Sequence, residues 1–217
     1  DGGDLPEYGP EHAAASHPRA QDLAEHFETA EFNESQIRGL RRGYLGCVSF
    51  VDDQLGRLVS VLKRTGLYDD TNVIYTSDHG DMLGKFGLWW KCALYEDAVR
   101  VPCIAAGPDF PTGTRHRAPV DLHDVRAAIF HSAGVRQPEG WHGTPLQTIP
   151  EDDRDRLVFS EYHGHGARAS SFMIRRGNWK YVHHIGAPNQ LFDLDADREE
   201  LNNVANRKPV KTDQMMR

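Results

Sequence analysis

From Ile37 to Leu62, apolar and aromatic side chains return in steps of three and four: Ile37, Leu40, Tyr44, Val48, Val51, Leu55, Leu58 and Leu62. That spacing draws one stripe along a single long amphipathic helix. Asn33 followed by Gln36 has the pattern of a capping box at its start, and Gly66 supplies a stop. At ~1.5 Å per residue, such a helix reaches about 45 Å. Gly39, Gly43 and Gly46 weaken its first half by roughly 1 kcal/mol each relative to alanine, which points to close packing against a neighbour. Arg38, Arg41 and Arg42 cluster on this helix and read as a solvated face.

The elements around the helix set the fold class. Before it, Ala20 to Phe27 predicts a short helix in an otherwise loop-like stretch. After it, Asn72 to Thr76 is a β-branched and aromatic run that predicts a buried strand. Arg100 to Ala106 predicts a second strand, closed by Gly107-Pro108, with Pro102 best suited to its start or edge. Asp121 can cap a helix through Val125, Ile129 and Ala133 that ends at Gly134. This order predicts an α/β fold with a mixed, mainly parallel sheet sandwiched by helices. Pro145 to Arg156 reads as a linker. Beyond it, Leu157–Glu161, Ser171–Arg175, Trp179–His183 and Gln190–Leu194 predict a small C-terminal antiparallel sheet, followed by a short helix at Glu199–Ala205 and a frayed tail after Lys208. The expected division is residues 1–150 and 151–217.

Composition excludes several functions. The net charge of −7 argues against nucleic acid as the main partner. No apolar run approaches the ~18 residues that span a bilayer. Cys47, Cys92 and Cys103 read as buried thiols with no disulfide framework, which fits a reducing compartment and tilts localisation towards cytoplasm over periplasm without fixing it. The opening Asp1-Gly2-Gly3-Asp4 carries neither methionine nor a signal pattern and reads as the interior of a longer protein.

The chemistry concentrates in Thr76-Ser77-Asp78-His79-Gly80-Asp81, followed by Gly87-Leu88-Trp89-Trp90-Lys91. Asp78 and His79 stand at the carboxyl end of the first strand, the edge where open α/β sheets bind ligands. A carboxylate beside an imidazole suits a hard divalent cation. The Lys91 ammonium, thirteen residues after Asp78, suits a tetrahedral oxyanion that the cation also touches. This layout fits hydrolysis of a sulfate or phosphate ester. Two protein ligands are too few for a metal, so further ligands are expected from elsewhere. Taken alone, Asp78 could be a cap, His79 a carbonyl-bonded histidine, Lys91 a solvated lysine, and Trp89 and Trp90 packing residues.

The extended pattern decides between these readings. Ile74 to Lys91, continuing through Tyr95-Glu96 and Val99-Arg100-Val101-Pro102, resembles the sulfatase family's run "x-(Y/F)-T-S-D-H-G-(D/E)-x-L-G-x-x-G-L-W-x-K" and its sequel. Tyr44 with Val48–Leu58 upstream, and Arg176–Tyr181, Leu191–Leu194 and Glu200–Ala205 downstream, extend the resemblance over roughly residues 34 to 206. Glu161-Tyr162 and Met173–Gly177 look most like the choline-sulfatase branch. The resemblance implies an alkaline-phosphatase-like fold. It implies a divalent cation held in part by Asp78 and His79, calcium first, with manganese or magnesium as alternatives. It implies Lys91 on the sulfate group, with Lys91 and His79 as catalytic residues. The family's nucleophile motif, Cys-or-Ser-x-Pro-x-Arg, whose first residue becomes formylglycine, has no match here, and neither do the acidic metal ligands of the family's N-terminal part. Both are expected upstream of Asp1, which leaves the chain alone without activity.

Three functions remain open at this point: hydrolysis of a small-molecule sulfate ester, hydrolysis of a phosphonate or phosphate ester on the same scaffold, and a stand-alone binding or assembly module. No membrane or nucleic-acid partner is expected, and a homo-oligomer is possible. His163, His165, His183 and His184 read as surface loop histidines, with the rival that the His163–Ala169 loop approaches the site and shapes substrate choice. His116, His123 and His131 read as surface or capping residues.

Overall fold

The long helix, α2, spans Glu34–Arg64 in the computed structural model, which describes residues 4–29 and 32–217. Its start is the expected capping box: the Gln36 amide donates to Asn33 Oδ1 at 3.1 Å, and the Asn33 amide donates to Gln36 Oε1 at 2.9 Å. It ends before Gly66, whose φ of 73° is the left-handed stop. The expected close packing is absent among the described residues. No residue of α2 is buried, and Leu40, Tyr44, Val48, Val51 and Leu58 are 38–52% exposed. A Cβ at Gly39, Gly43 or Gly46 would meet nothing within 4 Å. The arginines are not a purely solvated face: Arg41 donates to the Leu83 carbonyl at 2.7 Å, and Arg38 lies 3.7 Å from Asp4.

Helix α1, Pro18–His26, precedes α2 and begins with proline at a position that needs no amide donor. Strand β1, Val73–Thr76, follows α2, and strand β2, Cys103–Ala106, pairs with it antiparallel, Val73 opposite Ala106 and Thr76 opposite Cys103. The expected mainly parallel sheet is therefore not what these two strands make. A parallel return needs a full crossover, usually a helix. The connection here carries only a short 3₁₀ turn and α3, the four residues Glu96–Val99, so the chain doubles back. Strand β1 is half-buried throughout, and Ile104 of β2 is 62% exposed. Pro102 stands just before β2, where a missing donor costs nothing.

Helix α4, Leu122–Ser132, is capped by Asp121 and Asp124, each accepting the other's amide. It buries Asp124, Ala127 and Ala128 and turns Ile129 outward, so its inner face is one step away from the expected Val125–Ile129 line. Asp124 is drawn in by Arg156 at 2.7 Å. The segment read as a linker is tied down. Ile149 is buried, and the Glu151 carbonyl accepts the Arg117 amide at 2.7 Å.

The C-terminal meander forms as expected. Strands β3 (Leu157–Tyr162), β4 (Ser171–Arg176), β5 (Trp179–His184) and β6 (Gln190–Asp193) pair antiparallel in sequence order. Phe192 of β6 joins Met82, Phe86, Leu88 and Tyr95 in one core cluster with Leu23 of α1, so this sheet lies directly on the segment that follows the Asp78-His79 pair. Two terminal expectations are overturned. Glu199–Ala205 is irregular, because the Asp197 carboxylate takes the Leu201 and Asn202 amides and Asn203 takes those of Leu191 and Ala205. Such side-chain acceptors compete with helix formation. The tail is instead helix α5, Pro209–Met216, anchored by Met215 against Tyr181, Leu191 and Ala205. All three cysteines are free, but only Cys92 is buried, since Cys47 and Cys103 lie on exposed elements. No helix among the described residues is long and apolar enough to cross a membrane.

Candidate functional site

The end of β1 fixes the Asp78-His79 pair through local hydrogen bonds. Ser77 Oγ donates to the His79 carbonyl at 2.8 Å, and the His79 amide donates to Asp78 Oδ1 at 3.0 Å. His79 Nδ1 meets the Gly80 carbonyl at 2.9 Å. A carbonyl can only accept, so Nδ1 carries the proton and Nε2 is left with a lone pair. That nitrogen is 3.6 Å from Asp78 Oδ2, and the two side chains are 41% and 81% exposed. Desolvation pushes the Asp78 carboxyl up, but the neighbouring His79, with its amide and the Ser77 hydroxyl, outweighs it and holds the carboxyl below its usual range. An ionised oxygen and an imidazole lone pair at this separation fit two ligands of one divalent ion, whose ligand distances run ~2.0–2.6 Å. No group of three His, Cys, Asp or Glu side chains gathers for a metal among the described residues, so this pair is part of a shell.

Gly80 sets the pair against α3. Its amide donates to the Ala98 carbonyl at 2.8 Å, and a Cβ there would collide with the Asp97 carbonyl oxygen. The following loop is strained. Leu83, Phe86 and Trp90 have φ of 48°, 55° and 63°, conformations that cost a side-chain-bearing residue of order 1–3 kcal/mol. The surroundings over-determine it. The Met82 amide donates to the Trp90 carbonyl and the Gly84 amide to the Leu88 carbonyl, both at 2.8 Å, while Phe86 is fully buried. Trp89 is 9% exposed and packs edge-on to Phe32, as a core residue; Trp90 is 41% exposed and packs on Phe27. Lys91 is exposed and has no hydrogen-bond or ion-pair partner among the described residues.

Residue types alone did not single out the charged groups beneath this loop. Lys85 is buried between Asp97 at 2.8 Å and Glu199 at 2.9 Å. Lys180 of β5, with no exposure, reaches Glu96 at 3.1 Å and Glu200 at 2.8 Å, and Arg175 lies 3.4 Å from Glu96. Glu200 has φ of 58°, and its Oε2 accepts the Glu96 amide at the start of α3 at 2.6 Å. Burial drives the Glu200 carboxyl above its usual range, with Lys180 opposing. Burial pushes Glu96 the same way, but Lys180 and Arg175 bring it below its usual value. The signal for this cluster lay in the segments that carry the family resemblance, which include Tyr95-Glu96, Lys180-Tyr181 and Glu200.

The histidines divide. His184 is buried, not on a surface loop: Nδ1 pairs with Ser171 Oγ at 2.8 Å and Nε2 with Gln190 Oε1 at 3.0 Å, and burial pulls its pKa down to about 4. His163 sits by Glu161 at 3.1 Å, and His165 packs its ring on His26 and Phe27. His116, His123 and His131 are exposed.

The fold is the alkaline-phosphatase-like α/β arrangement. It matches the structure of phosphonate monoester hydrolase from Silicibacter pomeroyi with a TM-score of 0.84 at 27% identity, over 98% of this chain and 49% of that one. The sulfatase family model matches residues 10–135, and the model for the C-terminal part of N-sulphoglucosamine sulphohydrolase matches residues 84–216. The chain belongs to the sulfatase family. It is 37% identical to choline-sulfatase of Rhizobium meliloti (strain 1021), over 87% of this chain and 37% of that protein. It is 34% identical to arylsulfatase K of Danio rerio, over 83% of this chain and 36% of that protein. The chain thus spans little more than a third of the length of these curated relatives.

Proposed function

We propose that the protein to which this chain belongs hydrolyses small-molecule sulfate esters, with Asp78, His79 and Lys91 forming one side of the site. The observation that carries this is the convergence of Asp78 Oδ2 and His79 Nε2 to 3.6 Å at the end of β1, inside the segment that matches the sulfatase family. Asp78 and His79 hold a divalent cation, with calcium first and manganese or magnesium as alternatives. When bound, that cation supplies positive charge that polarises an ester oxygen. His79 keeps Nε2 available as a ligand because the Gly80 carbonyl holds the proton on Nδ1. Lys91, exposed and free of an ion-pair partner among the described residues, presents its ammonium to the sulfate oxygens as charge develops on them. The nucleophile, a formylglycine by the family resemblance, and the remaining metal ligands come from outside these 217 residues.

The test uses the full-length protein. Lys91→Ala should lower kcat on an aryl sulfate by about 100-fold or more, the scale of losing a charge stabiliser, with little change in melting temperature. Retention of activity within about threefold would remove Lys91 from the chemistry. Asp78→Ala should abolish stoichiometric metal in elemental analysis, and unchanged metal content would overturn the ligand assignment. A second reading, phosphonate or phosphate ester hydrolysis, is favoured by the likeness to the Silicibacter pomeroyi enzyme. Parallel assays on aryl sulfate, phosphonate monoester and phosphodiester substrates decide between the two.

A further inference from the structure

Building on the sulfate-ester reading, we propose that Trp90, Phe27, His26 and His165 form the subsite for the organic group esterified to the sulfate, and that this group presents an apolar ring face. Trp90 is the residue before Lys91, so the indole and the residue assigned to the anion stand on consecutive backbone positions, ~4 Å apart from Cα to Cα.

Trp90 packs on Phe27 yet leaves much of its side chain open. Its neighbour Trp89 is 9% exposed, whereas Trp90 is 41% exposed. Its φ of 63° is one that a bulky side chain adopts at a cost of roughly 1–2 kcal/mol. The backbone is locked there by the Met82 amide, which donates to the Trp90 carbonyl at 2.8 Å. In the sulfatase pattern matched by Leu88–Lys91, Trp89 is the fixed tryptophan and Trp90 occupies the unspecified position.

A wall from two other elements backs the indole. Phe27, just past α1, has its ring centroid 4.7 Å from that of Trp90 and 4.7 Å from His26, and His165 of the β3–β4 loop lies 4.9 Å from His26 and 5.4 Å from Phe27. His26 and His165 are exposed. The loop comes this close because residue 166 is a glycine with φ of 80°, whose absent Cβ would stand 3.0 Å from the Phe27 ring. Two nearby acids, Asp22 and Glu25, are paired with arginines. Arg168 reaches Asp22 at 3.1 Å and Glu25 at 2.5 Å, and Arg19 reaches Asp22 at 2.8 Å. A half-exposed aromatic wall suits the face of an aryl group or the C–H face of a sugar, held by stacking.

The experiment compares full-length wild type, Trp90→Ala and Trp90→Phe on 4-nitrophenyl sulfate, glucosamine 6-sulfate, choline sulfate and ethyl sulfate. Trp90→Ala should lower kcat/KM about tenfold or more on a ring ester, mainly through KM. Ethyl sulfate should stay within about threefold, and Trp90→Phe should restore most of the loss. Whichever of the aryl and sugar esters suffers the loss names the ring. Calorimetric titration of the same esters into metal-free protein reads affinity without turnover. Equal losses on ring and acyclic esters, no loss at all, or a loss confined to choline sulfate would overturn the proposal. If wild type hydrolyses no sulfate but Trp90→Ala still weakens ring-ester binding, the subsite stands and the sulfate-ester reading falls.

Discussion

Gly80 shows how much one missing side chain can decide. Its amide is spent on the Ala98 carbonyl, and the space where its Cβ would stand is filled by the Asp97 carbonyl. Gly80→Ala should therefore displace α3 or the Asp78-His79 pair, lowering stability by about 1–3 kcal/mol and weakening metal binding with it. Denaturant titration and metal content would report both, and unchanged values in both would show that α3 yields freely. His184 makes a second prediction at this scale. Its folded pKa of about 4 lies below the ordinary 6.5, so the unfolded chain binds the proton first. The contribution of neutral His184 is thus fully present above about pH 6.5 and is lost as pH falls towards 4. The full shift corresponds to about 3 kcal/mol, and partial solvent access brings the expected loss nearer 2. Melting temperature should fall over this window in wild type and fall less in His184→Gln; equal slopes would rule the group out. The sequence exposed Asp78, His79 and Lys91 because their order along the chain carries the pattern. It hid His184, because its partners Ser171 and Gln190 lie on neighbouring strands and only pairing brings them together.

At the scale of elements, what the sequence made legible was local. Asn33 with Gln36, Asp121, and the stop glycines at 66 and 134 act within a few residues, and all stand where such signals place them. What failed turned on how side chains are spent and on partners far along the chain. The Glu199–Ala205 stretch has helical composition, but Asn203 and Asp197 spend their side chains on amides that a helix would need. The α5 tail looks featureless until Met215 has a pocket between β5 and β6. Met215→Ala should cost about 2–4 kcal/mol in a chemical melt, whereas a frayed tail would give no change. The cluster around Lys180 predicts more. Lys180→Met strands the Glu96 and Glu200 carboxylates in the interior and should cost about 3–5 kcal/mol. Adding Glu200→Gln should recover part of that loss, and strictly additive effects would argue against a shared network.

For the whole molecule, the two ends of the chain bear on one place. Leu23 of α1 and Phe192 of β6 close over the loop between β1 and α3, so the described residues make a continuous core beneath the candidate site. The other side of the molecule is different. The apolar stripe of α2 is uncovered among the described residues, and a contiguous run of exposed apolar side chains favours association. Expressed alone, the 217-residue chain should therefore self-associate, and Leu40→Lys with Val48→Lys and Val51→Lys should return it to a monomer in light scattering. A monomeric unsubstituted chain would mean that α2 lies elsewhere in solution. The Lys180 cluster also has a consequence in time. Glu96 and Lys180 are 84 positions apart. A ribosome adding ~5–20 residues per second therefore needs about 4–17 s between them. Throughout that interval the carboxylate at the head of α3 has no lysine to meet, so the loop that carries Asp78 and Lys91 sets only once the terminal sheet has emerged.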